Sequence, residues 1–185
     1  MIARLHGTLA RSRANGPGLR YVVWFQGCTL GCPGCFNPTT HVGAGPTVDL
    51  ADVIAGFDVA AVDGLTLSGG EPMQQAPAAL ELLLAARRRG RSTLMFSGYT
   101  RAELAAQALG PAVLAHLDVL IDGRYQAGDR AATALRGSTN QTVHRLTERY
   151  TAAELAATPE AEVTINPDGS LALTGVAPLT IRALR

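Results

Sequence analysis

The sequence predicts an α/β fold: a partial, open βα barrel of about six units, with mostly parallel strands and a C-terminal β-hairpin. Three observations carry that expectation. Apolar, β-rich runs alternate with helical stretches in the rhythm strand, loop, helix, strand. Glycines and polar residues gather where the strands end. The chain has 185 residues, whereas a complete eight-unit barrel typically needs ~250.

The elements follow in order. Residues 20–26, with Tyr21, Val22, Val23, Trp24 and Phe25, form an apolar run that reads as a buried strand and delivers the chain into a cysteine-bearing loop. Leu50 to Phe57 reads as a short helix. Leu65-Thr66-Leu67 makes a strand ending in Ser68-Gly69-Gly70-Glu71-Pro72. From Ala76 to Arg89 the pattern is helical, stopping at Gly90 with arginines in its last turn. Ser92 to Phe96 is a further strand running into Ser97-Gly98-Tyr99-Thr100, and a helix follows to about Leu109. Leu117 to Ile121 is another strand, ending in Asp122-Gly123-Arg124. Glu162 to Ile165 and Ser170 to Leu173, joined by Asn166-Pro167-Asp168-Gly169, read as a hairpin. The whole of 1–185 is expected to be a single domain, with 146–185 as a C-terminal extension.

Composition sets bounds. Hydrophobic residues make up 47% and charged residues 17%, which argues against disorder over most of the chain. Sixteen basic residues against fifteen acidic give a net charge of +1, so no electrostatic footprint for nucleic acid is expected. The N-terminal residues lack a signal peptide's apolar core, and no apolar run is long enough to span a bilayer. The expected compartment is a reducing cytoplasm, with no membrane partner.

The chemistry concentrates in one window. All three cysteines of the chain, Cys28, Cys32 and Cys35, are spaced C-x3-C-x2-C among Gly27, Gly31 and Gly34. Soft thiolates in short loops wrap an iron–sulfur cluster, and glycines permit the tight wrap. A cubane cluster usually takes four thiolates; three leave one iron free to hold a substrate or cofactor. The alternatives are a zinc site with His41 as fourth ligand and three inert buried thiols. Gly69-Gly70-Glu71-Pro72 lies between a strand and a helix. Its glycines admit a ligand to the backbone, and Glu71 accepts from an ammonium group. Alone it is equally an ordinary βα turn with an acid near a helix N-terminus.

With these motifs in view, the chain resembles the radical S-adenosylmethionine superfamily. More narrowly, it is similar to the glycyl-radical-enzyme activases, above all to activators of anaerobic ribonucleoside-triphosphate reductase. The resemblance covers about residues 15–145. It rests on the cysteine triplet, the Gly-Gly-Glu-Pro turn and the approach Asn15-Gly16-Pro17-Gly18-Leu19-Arg20. Ser97-Gly98-Tyr99-Thr100, the run from Asp118 to Arg124, and Arg136-Gly137-Ser138-Thr139-Asn140-Gln141 complete it.

The resemblance implies a [4Fe-4S] cluster on Cys28, Cys32 and Cys35, with S-adenosylmethionine on the fourth iron. It implies reductive cleavage to a 5′-deoxyadenosyl radical, which takes a hydrogen atom from a glycyl radical enzyme such as anaerobic ribonucleotide reductase. A flavodoxin- or ferredoxin-type electron donor is implied as well. Gly69, Gly70 and Glu71 match the segment that contacts the methionine amino group, and Phe36 and Asn37 match positions near the adenine. Ser97 and Asp122 are expected as further cofactor-binding residues, Asp122 contributing from its strand end, where it equally reads as a turn-forming Asp-Gly pair. No catalytic side chain is expected beyond the cluster and cofactor. Some relatives place a carboxylate two or three positions before the glycine matching Gly98, as part of a cation site. Met95 and Phe96 stand there instead.

Other readings compete. The radical chemistry could act on a small molecule or peptide, because the motifs serve the cofactor rather than the substrate. An electron carrier would need a fourth protein ligand, and a zinc-stabilised interaction module leaves the Gly-Gly-Glu-Pro turn unexplained. Trp24 reads as core packing, and His6, His116 and His144 as structural residues.

Overall fold

The computed structural model describes residues 1–165 and 168–177. The strands and helices are β1 (Ile2–Ser12), β2 (Arg20–Phe25), β3 (Thr47–Asp49), α1 (Leu50–Ala60), β4 (Gly64–Gly69), α2 (Ala76–Arg88), β5 (Ser92–Ser97), α3 (Arg101–Ala105), α4 (Gly110–Ala115) and β6 (Val119–Asp122). After them come β7 (Arg130–Thr133), β8 (Arg136–Ser138), β9 (Thr142–Arg145), α5 (Ala152–Ala156), β10 (Ala161–Ile165) and β11 (Leu171–Gly175). Seven strands form one mixed sheet in the order β3-β1-β2-β4-β5-β6-β9. The central run β2-β4-β5-β6 is parallel, while β1 and β9 run antiparallel to their neighbours.

The parallel run is buried on both faces, as helical crossovers require. On β2, Tyr21, Val23 and Phe25 point into the larger core with Leu65, Leu67, Met95 and Leu120. Helix α2 covers that core with Ala79, Leu82, Leu83 and Ala86, a spacing that makes one helical face. It ends where expected. Gly90 takes φ +67°, Gly90 N–H donates to the Arg87 carbonyl and Arg91 N–H to that of Ala86. That double closure satisfies the last carbonyls of the helix. On the opposite face Leu94, Val119 and Ile121 meet Leu135 and Leu155.

The regular part is shorter than the expected six or so units. Four parallel strands and three crossovers are flanked by antiparallel strands. Strand β1 was not foreseen. It buries Ala3 and Leu5 but leaves the alternate residues Ile2, Arg4 and His6 exposed, so its apolar signal is half that of β2. The helix expected to reach Leu109 is two short ones, α3 and α4.

The hairpin strands β10 and β11 pair antiparallel, Val163 opposite Leu173. Of their predicted turn, Asn166 and Pro167 lie outside the described residues. The hairpin is moored to the end of β1. Glu162 accepts from Ser12 Oγ at 2.6 Å and Arg13 N–H at 3.0 Å, and Asn15 Nδ2 donates to Thr174 Oγ1 at 2.7 Å. The extension is also held from within. Tyr150 donates its hydroxyl to Ser92 Oγ at 2.7 Å and accepts from the fully buried Arg20 at 3.2 Å. Among the described residues no helix is long and apolar enough to cross a membrane.

Candidate active site

The carboxyl ends of parallel strands are where an open α/β sheet binds ligands, because the connecting loops converge there. Here β2 leads to Cys28, β4 to Gly69-Gly70-Glu71, β5 to Ser97-Gly98 and β6 to Asp122-Gly123. These loops open on a cavity of about 440 Å³, within the size range of small-ligand sites. Cys28, Cys32, Cys35, Phe36, Asn37, Gly69, Gly70, Glu71 and Ser97 all line it. Asp122 does not.

The cysteine loop is locked to the Gly-Gly-Glu-Pro turn. Glu71 N–H donates to the Gly27 carbonyl at 3.0 Å. Gln74 accepts from Thr29 N–H at 3.1 Å and donates to Thr29 Oγ1 at 2.8 Å. The two loops touch so closely that a Cβ on Gly70 would lie 2.3 Å from the Gly27 carbonyl oxygen, which excludes any larger residue. Gly34, at φ +71°, turns the chain between Cys32 and Cys35. Asn37 N–H donates to Cys35 Sγ at 3.4 Å, a contact that favours thiolate.

All three cysteines are free and half-buried. Burial pushes the Cys28 and Cys35 thiols up; backbone N–H groups oppose this, and Glu71 and the neighbouring thiols reinforce it at Cys28. Metal binding here therefore displaces protons. Among the described residues no three His, Cys, Asp or Glu side chains gather closely enough to hold one metal ion. His41 lines the same cavity as the cysteines. A cubane presents its irons at separate corners, so three thiolates around one cavity suit it without meeting at a point.

Glu71 is 1% exposed. Its Oε1 accepts from Met73 N–H at 3.0 Å and Ser97 Oγ at 2.9 Å, and its Oε2 accepts from Gly98 N–H at 2.8 Å. A carboxylate has about four acceptor positions, so one remains for a ligand ammonium. Burial raises its pKa to about 7, against the pull of those three donors and of Arg124. Phe36 and Tyr125, which also line the cavity, pack with ring centroids 4.4 Å apart, and the Arg130 guanidinium lies over Phe36. They offer a flat apolar wall with cationic backing, suited to a heterocyclic base. The donor set and the acceptor left on Glu71 thus fit a cluster and S-adenosylmethionine.

Strand parity explains Asp122. Leu120 and Asp122 share one face of β6, turned toward the helical core, while Val119 and Ile121 face the other way. Asp122 accordingly accepts from Arg101 N–H at the start of α3 and lies 3.0 Å from His144 Nε2. Ser97 reaches the cavity wall, but its hydroxyl is spent on Glu71. The polar groups of 136–141 staple the loop to itself and to residues 123–126. Gln141 accepts from Gly137 N–H at 2.8 Å and donates to the Gly123 carbonyl at 2.9 Å.

Several lining residues were missed. Trp24, read as core packing, lies on the cavity wall, and so does His6, whose Nδ1 is 3.0 Å from Gln26 Oε1. Alternation along β2 was the available signal, since it sets Trp24 on the face opposite Phe25. Tyr125 gave only its place just past a strand end.

Comparison with known proteins agrees with this geometry. Residues 14–144 match the family of 4Fe-4S single cluster domains. The chain is 36% identical over 146 residues to an anaerobic ribonucleoside-triphosphate reductase-activating protein of Vibrio cholerae, covering 72% of this chain and 92% of that one. It is 33% identical over 143 residues to the protein of that name in Escherichia coli, covering 71% and 92%. A pyruvate formate-lyase-activating enzyme of Listeria monocytogenes is 33% identical over 104 residues, covering 52% of this chain and 42% of its own.

Proposed function

The chain belongs to the family of anaerobic ribonucleoside-triphosphate reductase-activating proteins, iron–sulfur enzymes of the radical S-adenosylmethionine type, and on that premise we propose that it generates the glycyl radical of an anaerobic ribonucleotide reductase. The observation that carries this reading is the convergence of Cys28, Cys32 and Cys35 with Glu71 on one cavity. Relatives of full length point to the reductase, whereas the lyase activase matches over less than half of its length.

Cys28, Cys32 and Cys35 would hold a [4Fe-4S] cluster and, being three thiolates, would leave one iron for S-adenosylmethionine. Bound there and reduced, the cluster would supply the one electron for reductive cleavage of S-adenosylmethionine, the chemistry that would remove a hydrogen atom from the partner's glycine. The chain itself binds, orients and excludes water. Glu71 and the Gly69-Gly70 backbone receive the methionine ammonium, with Ser97 and Gly98 N–H fixing the carboxylate. Phe36, Asn37 and Tyr125 cradle the adenine. Asp122 acts through α3 rather than on the cofactor.

The finer points belong to the same proposal. The sheet serves as an incomplete barrel whose open side admits the glycine segment, and residues 1–185 work as one domain, a reading supported by the mooring of the extension through Tyr150 and Glu162. A flavodoxin- or ferredoxin-type protein supplies the electron, and the enzyme works in the cytoplasm. Anaerobic reconstitution, reduction and addition of S-adenosylmethionine test the chemistry. Wild type is expected to release 5′-deoxyadenosine and Cys32→Ala none; release by both would overturn the reading.

A further inference from the structure

The C-terminal hairpin lies beyond the family-matched residues, which end at 144, yet it reaches the cavity. Residues 172–176 line it together with the cysteines, and no residue of β10 does. A strand that presents one face to a cavity contributes alternate residues, because successive side chains point to opposite sides. Four consecutive residues of β11, with Val176 just past it, line the cavity, so the strand meets it with an edge rather than with one face. Among the described residues that edge has no strand partner: the hairpin is a two-stranded sheet, β10 beside β11. Unpaired strand edges are templates for an extended chain.

The hairpin's side chains point the same way. Glu162 and Thr174 hold it to Ser12, Arg13 and Asn15, so its polar side faces the protein. Val163, paired with Leu173, and Ile165, paired with Leu171, are 42–73% exposed. Leu173 belongs both to this apolar side and to the cavity lining. Leu173 thus joins the apolar side of the hairpin to the cavity.

We infer that the inner edge of β11 takes the partner's glycine-bearing segment as an added strand, with apolar residues of that segment resting on Leu171 and Leu173. This rests on the function proposed above. Main-chain pairing gives affinity in such an arrangement, and flanking side chains give selectivity. A small-molecule hydrogen donor would have no use for a strand edge.

The test uses the reconstituted full chain and a purified anaerobic ribonucleotide reductase from the same source. Hydrogen exchange of amides 172–176 in the wild-type enzyme is expected to slow at least about tenfold on adding the reductase. With Leu171→Lys, on the apolar side but outside the cavity lining, the reductase concentration giving half-maximal glycyl radical is expected to rise about tenfold, while the rate at saturation changes less than about twofold. A structural role alone would not produce that split. Radical formation with unprotected β11 amides and an unchanged half-saturation would overturn the inference and leave the activase reading standing. If the wild type cleaves S-adenosylmethionine but forms no radical on the reductase, the activase reading falls, and this inference with it.

Discussion

The carboxylate of Glu71, just past β4, accepts the backbone N–H of Gly98, just past β5, at 2.8 Å. One buried side chain on the cavity wall thereby ties two strand ends together, with three of its about four acceptor positions taken. Glu71→Gln keeps the volume but sets an amide against donors that need an acceptor. Loss of the charge-assisted bond is expected to weaken S-adenosylmethionine binding by about tenfold or more, measured by titration calorimetry on the cluster-loaded protein. Unchanged affinity would remove Glu71 from the ligand site.

The same residue sets a pH dependence. Its folded pKa of about 7 lies above the ordinary 4.5, so between those values the folded chain holds more protons than the unfolded one. Stability from this group is greatest below about pH 4.5 and is lost as pH rises toward about 7, a difference of roughly 3 kcal/mol. Urea unfolding of the reduced, cluster-free chain from pH 5 to 8 should show the decline, and Glu71→Gln should flatten it. Equal slopes in the two proteins would contradict the assignment.

Asp122 separates positioning from ligation. Asp122→Asn is expected to cost about 1 kcal/mol of stability through the weakened bond to Arg101 N–H and to leave S-adenosylmethionine affinity within about twofold. A selective loss of affinity, without loss of stability, would restore the direct role that the sequence suggested.

Tyr150 tests whether the extension belongs to the domain. Tyr150→Phe removes the 2.7 Å bond to Ser92 and an acceptor for the buried Arg20, whose guanidinium is already pushed down by burial. A loss of about 1–3 kcal/mol in a single unfolding transition is expected, measured by thermal unfolding followed by circular dichroism. A variant as stable as wild type would mean that residues 146 onward merely lie against the core.

What the sequence made legible was local. The cysteine triplet and the Gly-Gly-Glu-Pro turn each occupy a few residues, and both sit at strand ends that a continuous apolar run announces, as in β2. The misses are relations between distant residues. Asp122 is at a strand end like the others, but its direction depends on the parity of β6 against Leu120. Trp24 is apolar like its neighbours, and only the sheet decides which face is empty. Strand β1 alternates buried and exposed residues and so lacks a continuous apolar run, and the place of β11 at the cavity follows from the docking of its hairpin on Ser12, Arg13 and Asn15, about 150 residues away.

The most direct test of the central claim is electron paramagnetic resonance of the reductase after anaerobic incubation with the reduced, cluster-loaded enzyme and S-adenosylmethionine. A glycyl radical on the reductase, with about one 5′-deoxyadenosine formed per radical and neither product with Cys32→Ala, is the result this account predicts. Ample 5′-deoxyadenosine from the wild type with no radical on the reductase would contradict it.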